Sequence, residues 1–352
     1  MSSNRFNPMS TFHEQLFGEK SFVQFTLHKA FIEGRPNLII DNNVVVELWD
    51  NGVLYFQPQG SDLRNAILLS VGVHGNETAP IEIIDQLVAD ILAGKIAVRN
   101  SLLIVIANPK AIKSGLREID ENMNRLFSDA PIVKEGDSDE HHRTRTLMNY
   151  SRDFFSMDAH KKIHYDLHTA IRGSVYKQFA VSPNSSDRAE TEHQCLLLGQ
   201  YGIEAILTTT QKSATFSAFT ANTLGATSFT LELGSARPFG ENNIGEFAAI
   251  IEGLHGMISG KLALEVGRKK AKRFIVAAEV PKKTDAFRLL FASDTVNFTS
   301  FNEGDVLATD KDYQYIVTKS GERILFPNEN VAIGQRALVI VCPDENYTEN
   351  TL

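Results

Sequence analysis

Four residues suited to metal hydrolysis stand at three places in the chain: His74 and Glu77 in His74-Gly75-Asn76-Glu77, His168 in Asp166-Leu167-His168-Thr169, and Glu232 in Leu231-Glu232-Leu233-Gly234. A histidine and a glutamate three apart, at a turn that includes a glycine, can aim both side chains the same way. A second histidine from a neighbouring strand completes a His2Glu set, the ligand arrangement of a catalytic zinc whose fourth position is open to water. Zinc brings the pKa of such a water towards roughly 7. Glu232 then has the role of general base as the water attacks a carbonyl, and a positioned cation helps the metal stabilise the oxyanion. Singly, each residue has a plainer reading: His74 and Glu77 as a solvated pair or a cap, His168 as a satisfied core histidine, Glu232 as half of a buried ion pair. Asp166, two residues before His168 and on the same side of a strand, either orients that histidine or is a paired structural carboxylate.

A second cluster follows Asn108-Pro109. Arg117 opens the run Arg117-Glu118-Ile119-Asp120-Glu121, and Asn124-Arg125-Leu126-Phe127 comes shortly after. Guanidinium binds carboxylate through paired hydrogen bonds, and an Asn amide donates another. Arg117 alone reads equally as a solvated loop charge. Arg172 and Arg237, close in sequence to His168 and Glu232, are either further clamps or ordinary surface or interdomain arginines.

These residues need elements to carry them. Ala66–Val73 (AILLSVGV) and Leu102–Ala107 (LLIVIA) are continuous apolar runs, as in strands buried on both faces. Between them, Ile81, Ile84, Val88 and Ile91 recur at helical spacing over Ala79–Ala93. Helices are expected at Ser138–Phe155, Ala189–Tyr201 and Ile244–Ile258, and strands at Lys162–Leu167, Glu204–Thr208 and Ser228–Leu233. Residues 21–59 alternate around turn signals and read as short antiparallel strands. The expected fold is α/β: a mixed, largely parallel sheet covered by helices on both faces. In such sheets ligands bind outside the carboxyl ends of the strands, where the two histidines and two glutamates stand. After the basic stretch Arg268–Arg273 come short β segments at Phe274–Glu279, Tyr313–Thr318 and Ala337–Val341. This places a catalytic domain at 1–267 and a smaller C-terminal β domain at 268–352.

The 352 residues carry 35 Lys+Arg against 43 Asp+Glu, a formal charge of -8 that argues against a nucleic-acid binder. Two cysteines, Cys195 and Cys342, exclude a disulfide framework and a thiolate metal cluster. A metal must therefore be held by His, Asp and Glu. No apolar run approaches the roughly 18–20 residues of a membrane span, and the polar N-terminus lacks the apolar core of a secretory signal. A cytoplasmic location with no membrane partner is the expectation; the oligomeric state stays open.

Taken together and in order, HGNE at His74–Glu77, the Asn-Pro-plus-Arg loop ending Met123-Asn124-Arg125-Leu126-Phe127, DLHT at Asp166–Thr169 and LELG at Leu231–Gly234 resemble the succinylglutamate desuccinylase/aspartoacylase family of zinc hydrolases. These are relatives of the zinc carboxypeptidases, and the resemblance spans roughly residues 66–240, with a C-terminal β domain also characteristic of the family. It implies one zinc per chain held by His74, Glu77 and His168, Glu232 as general base, and Arg117, Asn124 and Arg125 on the carboxylates of a small anionic N-acyl amino acid. The run DLHTAIRGS (Asp166–Ser174), the run ELGSARPFG (Glu232–Gly240) and the length point within the family to hydrolysis of N-succinyl-L-glutamate to succinate and L-glutamate, in arginine catabolism. An aspartoacylase-like deacylase of another acidic N-acyl amino acid and a non-catalytic binder of an acidic metabolite are the alternatives. One departure is Asn122, where family members often carry Asp; it would anchor Arg125 or a zinc ligand without charge.

Overall fold

The computed structural model describes residues 8–28, 34–40, 43–60, 62, 65–128, 136–183, 185–262, 264–265, 269–345 and 347. The first seven residues and the boundary expected near residue 267 lie outside the described residues.

Two helices come first, α1 (Pro8–Phe17) and α2 (Phe22–His28). The second corrects the strand expected from residue 21. Its buried residues, Phe22, Val23 and Thr26, follow helical spacing. Ser21 and Gln24 exchange hydrogen bonds as a capping box, and Asp85 accepts from the Val23 amide at 2.9 Å. From β1 (Asn37–Ile40) the expected antiparallel strands do form, continuing with β2 (Val44–Asp50) and β3 (Val53–Pro58).

Strands and helices then alternate. They run β4 (Asn65–Val71), α3 (Thr78–Leu92), β5 (Ser101–Ile106), α4 (Pro109–Ser114), a 3-10 turn at Met123–Arg125, α5 (Asp139–Ser156) and β6 (Lys161–Ala170). After these come β7 (Gln178–Pro183), α6 (Arg188–Gln200), β8 (Ala205–Thr209), α7 (Phe216–Leu224), β9 (Thr227–Ser235) and α8 (Ala248–Ser259). The single helix expected over Ile244–Ile258 is a 3-10 turn, Ile244–Phe247, leading into α8. The C-terminal strands are β10 (Lys272–Pro281), β11 (Arg288–Leu289), β12 (Val306–Asp310), β13 (Tyr313–Ile316), β14 (Arg323–Leu325) and β15 (Arg336–Pro343).

One large mixed sheet has the order β1-β2-β3-β5-β4-β6-β9-β7-β8-β10-β15-β14. Strands β5, β4, β6 and β9 are mutually parallel; β7 runs antiparallel to β9, with β8 and β10 parallel to β7. The sheet therefore continues from the α/β layers into the C-terminal strands, while β11-β12-β13 form a small sheet apart.

Side-chain alternation divides the core in two. Ile67, Leu69 and Val71 of β4 pack with α3 and α8. Ala66 and Leu68 face the other way, with Leu147, Met148, Phe154 and Phe155 of α5 and Phe216 and Phe219 of α7. Burying a Leu or Phe side chain stabilises by roughly 1.5–3 kcal/mol. Polar residues that occupy such positions, Ser70, His164 and Asp166 among them, give up that gain and need hydrogen bonds in its place.

Candidate metal centre and substrate site

Register brings the chemistry together. In the parallel pairing Ser70 lies opposite Asp166 and Asp166 opposite Thr230; further along, His168 lies opposite Glu232. Strand β6 runs past the end expected for it, so His168 lies within it, paired with Glu232 of β9 on one face. His74 and Glu77 come from the turn between β4 and α3. Gly75 in that turn has a steric reason: a Cβ there would fall on the Ala111 and Ile112 backbone of α4. Its amide donates to the Arg117 carbonyl at 3.1 Å, which docks the arginine-bearing segment on the same turn.

His74, Glu77 and His168 are all buried, and each offers a ligand atom within 4.8 Å of the others. Glu77 Oε1 lies 2.9 Å from His74 Nδ1, and its Oε2 lies 2.9 Å from His168 Nδ1. The far nitrogen of each ring has its own acceptor: His74 Nε2 is 3.1 Å from Asn122 Oδ1, and His168 Nε2 is 2.9 Å from Asp166 Oδ2. An Nε2–H on each ring turns Nδ1 inward, where that of His168 hydrogen-bonds Glu77 Oε2. His74 Nδ1 is buried without a hydrogen-bond partner, because its approach to Glu77 lacks hydrogen-bond geometry. An orphaned imidazole nitrogen facing a carboxylate and a second imidazole is a donor set that fits a divalent cation.

Electrostatics separate the four residues. Burial, above all, lowers the His74 pKa and keeps that ring neutral, as a ligand must be. Burial opposes the charge on Glu77, but the two histidines outweigh it and hold the carboxyl well below its ordinary range. Burial likewise opposes a charge on His168, yet Asp166 and Glu77 on either side raise its pKa well above the ordinary value. Glu232 goes the other way. Burial lifts its carboxyl to about 7, Glu77 and Asp166 adding to the rise against His168 and Arg117. Its Oε2 is buried without a partner. A carboxyl poised near neutral pH beside a metal-ligand set is suited to carrying a proton.

The arginine segment lies against this centre. Arg117 Nη1 donates to Glu77 Oε1 at 2.6 Å, so it touches the ligand set directly. Asn124 is buried, its Oδ1 accepting from the Phe216 amide at 3.0 Å. Arg125 donates to the Asn124 carbonyl at 2.7 Å. Burial of its guanidinium and the nearby charges of Arg336 and Arg117 lower its pKa. Cations crowded in this way favour an anion among them. Arg172 donates to the carbonyls of Ser293, Thr295 and Pro327, tying the segment after β6 to loops of the C-terminal β unit. Arg237 has an exposed side chain, and its carbonyl accepts from Thr78 Oγ1 at 2.6 Å.

Residues 64–258 match the succinylglutamate desuccinylase/aspartoacylase catalytic domain, and residues 269–344 the AstE/AspA barrel-sandwich hybrid domain. The chain belongs to this family. It is 40% identical over 332 residues to the succinylglutamate desuccinylase of Shewanella frigidimarina, covering 93% of this chain and 96% of that one. Among solved structures, the succinylglutamate desuccinylase of Vibrio parahaemolyticus aligns with TM-score 0.86 at 33% identity, over 93% of this chain and 96% of the other. That of Chromobacterium violaceum gives TM-score 0.81 at 36% identity, over 92% and 98%. The mixed sheet with its appended β unit is thus the family's architecture.

Beside the family's motifs, two residues at this site, Ser70 and His164, drew no role from the sequence, and the contacts narrow that of a third, Asn122. Asn122 takes the uncharged anchoring position, and it anchors His74 rather than Arg125. Ser70 and His164 lie buried behind Asp166. The signal for both was available: polar residues inside otherwise apolar strands.

Proposed function

We propose that the chain hydrolyses the amide of N-succinyl-L-glutamate to succinate and L-glutamate, using one zinc ion held by His74, Glu77 and His168. The observation that carries this reading is the buried convergence of those three residues with an unpartnered Glu232 carboxyl, in a chain 40% identical to a succinylglutamate desuccinylase. When bound, zinc supplies Lewis acidity to the attacking water and to the amide carbonyl. Glu232 would take a proton from that water and return it to the leaving nitrogen. Arg117, Asn124 and Arg125 hold the carboxylates of the substrate, which carries three around one amide. Arg117 also neutralises Glu77, and its charge would help stabilise negative charge building on the carbonyl oxygen.

A panel of N-acyl amino acids assayed with and without chelator tests the proposal. Succinylglutamate is expected to turn over fastest, with activity lost on chelation and restored by zinc. Turnover that survives complete metal removal refutes the metal assignment. Cleavage of acetylaspartate with none of succinylglutamate refutes the substrate.

A further inference from the structure

We propose that a one-directional hydrogen-bond chain, Ser228–Thr220–His164–Ser70–Asp166, fixes the orientation and tautomer of His168 and thereby tightens the centre's hold on its metal. The inference rests on the metal reading above and extends it to residues that touch neither metal nor substrate. The chain crosses β9, α7, β6 and β4 on the face of the sheet that carries His168.

Its direction follows from counting protons. Asp166 is bracketed by two groups that can donate to it, Ser70 Oγ at Oδ1 and His168 Nε2 at Oδ2. As a carboxylate it only accepts. Ser70 Oγ, 2.5 Å from Asp166 Oδ1, must therefore donate its single proton there. His164 Nε2, 2.8 Å from the same Oγ, must then be an N–H donor. Burial pulls the His164 pKa down to about 4, so the ring is neutral and its Nδ1 accepts. Thr220 Oγ1 has three acceptors within reach, Nδ1 at 2.8 Å and the Ser217 and Phe216 carbonyls at 3.0 and 3.3 Å; the bare Nδ1 takes its proton, and Thr220 accepts in turn from Ser228 Oγ at 2.9 Å. Reversing any link sets two lone pairs against each other. The reversed form at Ser70 would place its bare oxygen 2.5 Å from the Asp166 carboxylate in a site closed to water.

At the other end, Asp166 Oδ2 receives His168 Nε2–H, which turns the other ring nitrogen, Nδ1, towards Glu77 Oε2 at 2.9 Å. Phe216 holds the His164 ring edge-on at a centroid distance of 4.7 Å. The Asp166 carboxylate is thus pinned at both oxygens, and its plane cannot turn away from His168. Outer partners of this kind alter metal affinity by about 10–100-fold in other centres.

The test measures zinc affinity of the chelator-stripped protein by competition with a chromophoric chelator, alongside thermal unfolding of the metal-free form. Ser70→Ala is expected to weaken zinc binding at least about tenfold. In an Asp166→Asn background the same substitution is expected to cost nothing further, since Ser70 acts through Asp166. His164→Met is expected to weaken binding, and His164→Gln, whose amide can donate where Nε2–H does, to restore most of it. Should Ser70→Ala fail to fold, the two His164 variants decide. Wild-type affinity in Ser70→Ala or in His164→Met, or losses that simply add to that of Asp166→Asn, overturns the proposal. Nitrogen NMR of the histidines supplies a reading independent of metal: His164 is expected as the neutral Nε2–H tautomer, and the Nδ1–H tautomer refutes the chain. If the wild-type protein takes up no zinc, the metal reading fails, and this spectrum still decides the direction of the chain.

Discussion

Replacing Glu232 by Gln separates what its carboxyl costs the fold from what it contributes to the reaction. In the chelator-stripped protein, burial raises its pKa from 4.5 to about 7. The unfolded chain releases this proton near 4.5 and the folded chain holds it to about 7. Between these values the folded state binds more protons, so stability declines as pH rises. The penalty is absent below pH 4.5 and complete above 7. At about 1.4 kcal/mol for each tenfold change in proton affinity, it reaches about 3 kcal/mol. For 352 residues, unfolding entropy of roughly 2 cal/mol/K per residue turns this into about 4 °C of Tm. Gln keeps the shape and never ionises.

Unfolding of both proteins is therefore to be followed from pH 4.5 to 8, each freed of metal. The Gln variant is expected to gain steadily on the wild type across this range and to lead by about 4 °C at pH 8. With zinc restored at pH 7.5, the same substitution is expected to leave metal affinity nearly intact and to lower kcat by about 10²–10⁴. A Tm difference that does not change between pH 5 and 8 would show that burial imposes no such penalty. A variant that retains kcat within a few-fold would remove Glu232 from proton transfer. A gain in stability with a loss of rate is the signature of a group held against its own ionisation for function.

Further outcomes follow from the neighbouring contacts. Asn122→Ala removes the acceptor of His74 Nε2–H and is expected to weaken zinc affinity about tenfold, measured by chelator competition; Asn122→Asp should retain the contact and the affinity. Arg125→Ala is expected to lower kcat/KM for succinylglutamate by about 10–100-fold, the worth of a charge-assisted hydrogen bond, with a far smaller loss on an amide lacking carboxylates; equal losses on both substrates refute the clamp. Gly75→Ala drives a methyl into the α4 backbone and is expected to cost about 1–3 kcal/mol in denaturant unfolding and to weaken zinc binding as well.

Strand ends and the convergence of His74, Glu77 and His168 were legible because each depends on short-range pattern. A continuous apolar run marks a buried parallel strand, and His74, His168 and Glu232 mark where such runs meet solvent chemistry. α2 was misread because residues 21–28 hold too few side chains to tell period two from period 3.6, and its N-terminus is completed by Asp85 from another helix. β7 and α7 went unseen for related reasons. Phe216–Leu224 is rich in Thr, Ser, Asn and Phe, with little intrinsic helix preference; it is a helix because Thr215 caps it and Phe216 and Phe219 fill the core beneath α5. The roles of Ser70 and His164 depend on pairing three strands in one register, which no local pattern encodes.

The segment between β5 and α5 shows how an acidic chain can concentrate cations at one point. Its arginines would drift in an unsupported loop, but polar contacts tie down several turns among residues 108–124. Asn108 caps α4, and the buried Glu140 of α5 accepts from the Ile119 amide at 2.7 Å. Asn122 meets His74, and Asn124 accepts from the first residue of α7. Arg117 and Arg125 are therefore fixed to the same turns and helices that aim the metal ligands. On the proposed reading, a substrate carboxylate seated on the arginines would have its amide placed relative to the metal by that shared framework, and orientation fixed in advance is worth far more to the rate than attraction alone. The formal charge of -8 repels anions at long range. Capture consequently depends on contacts made inside the site, where the chemistry is.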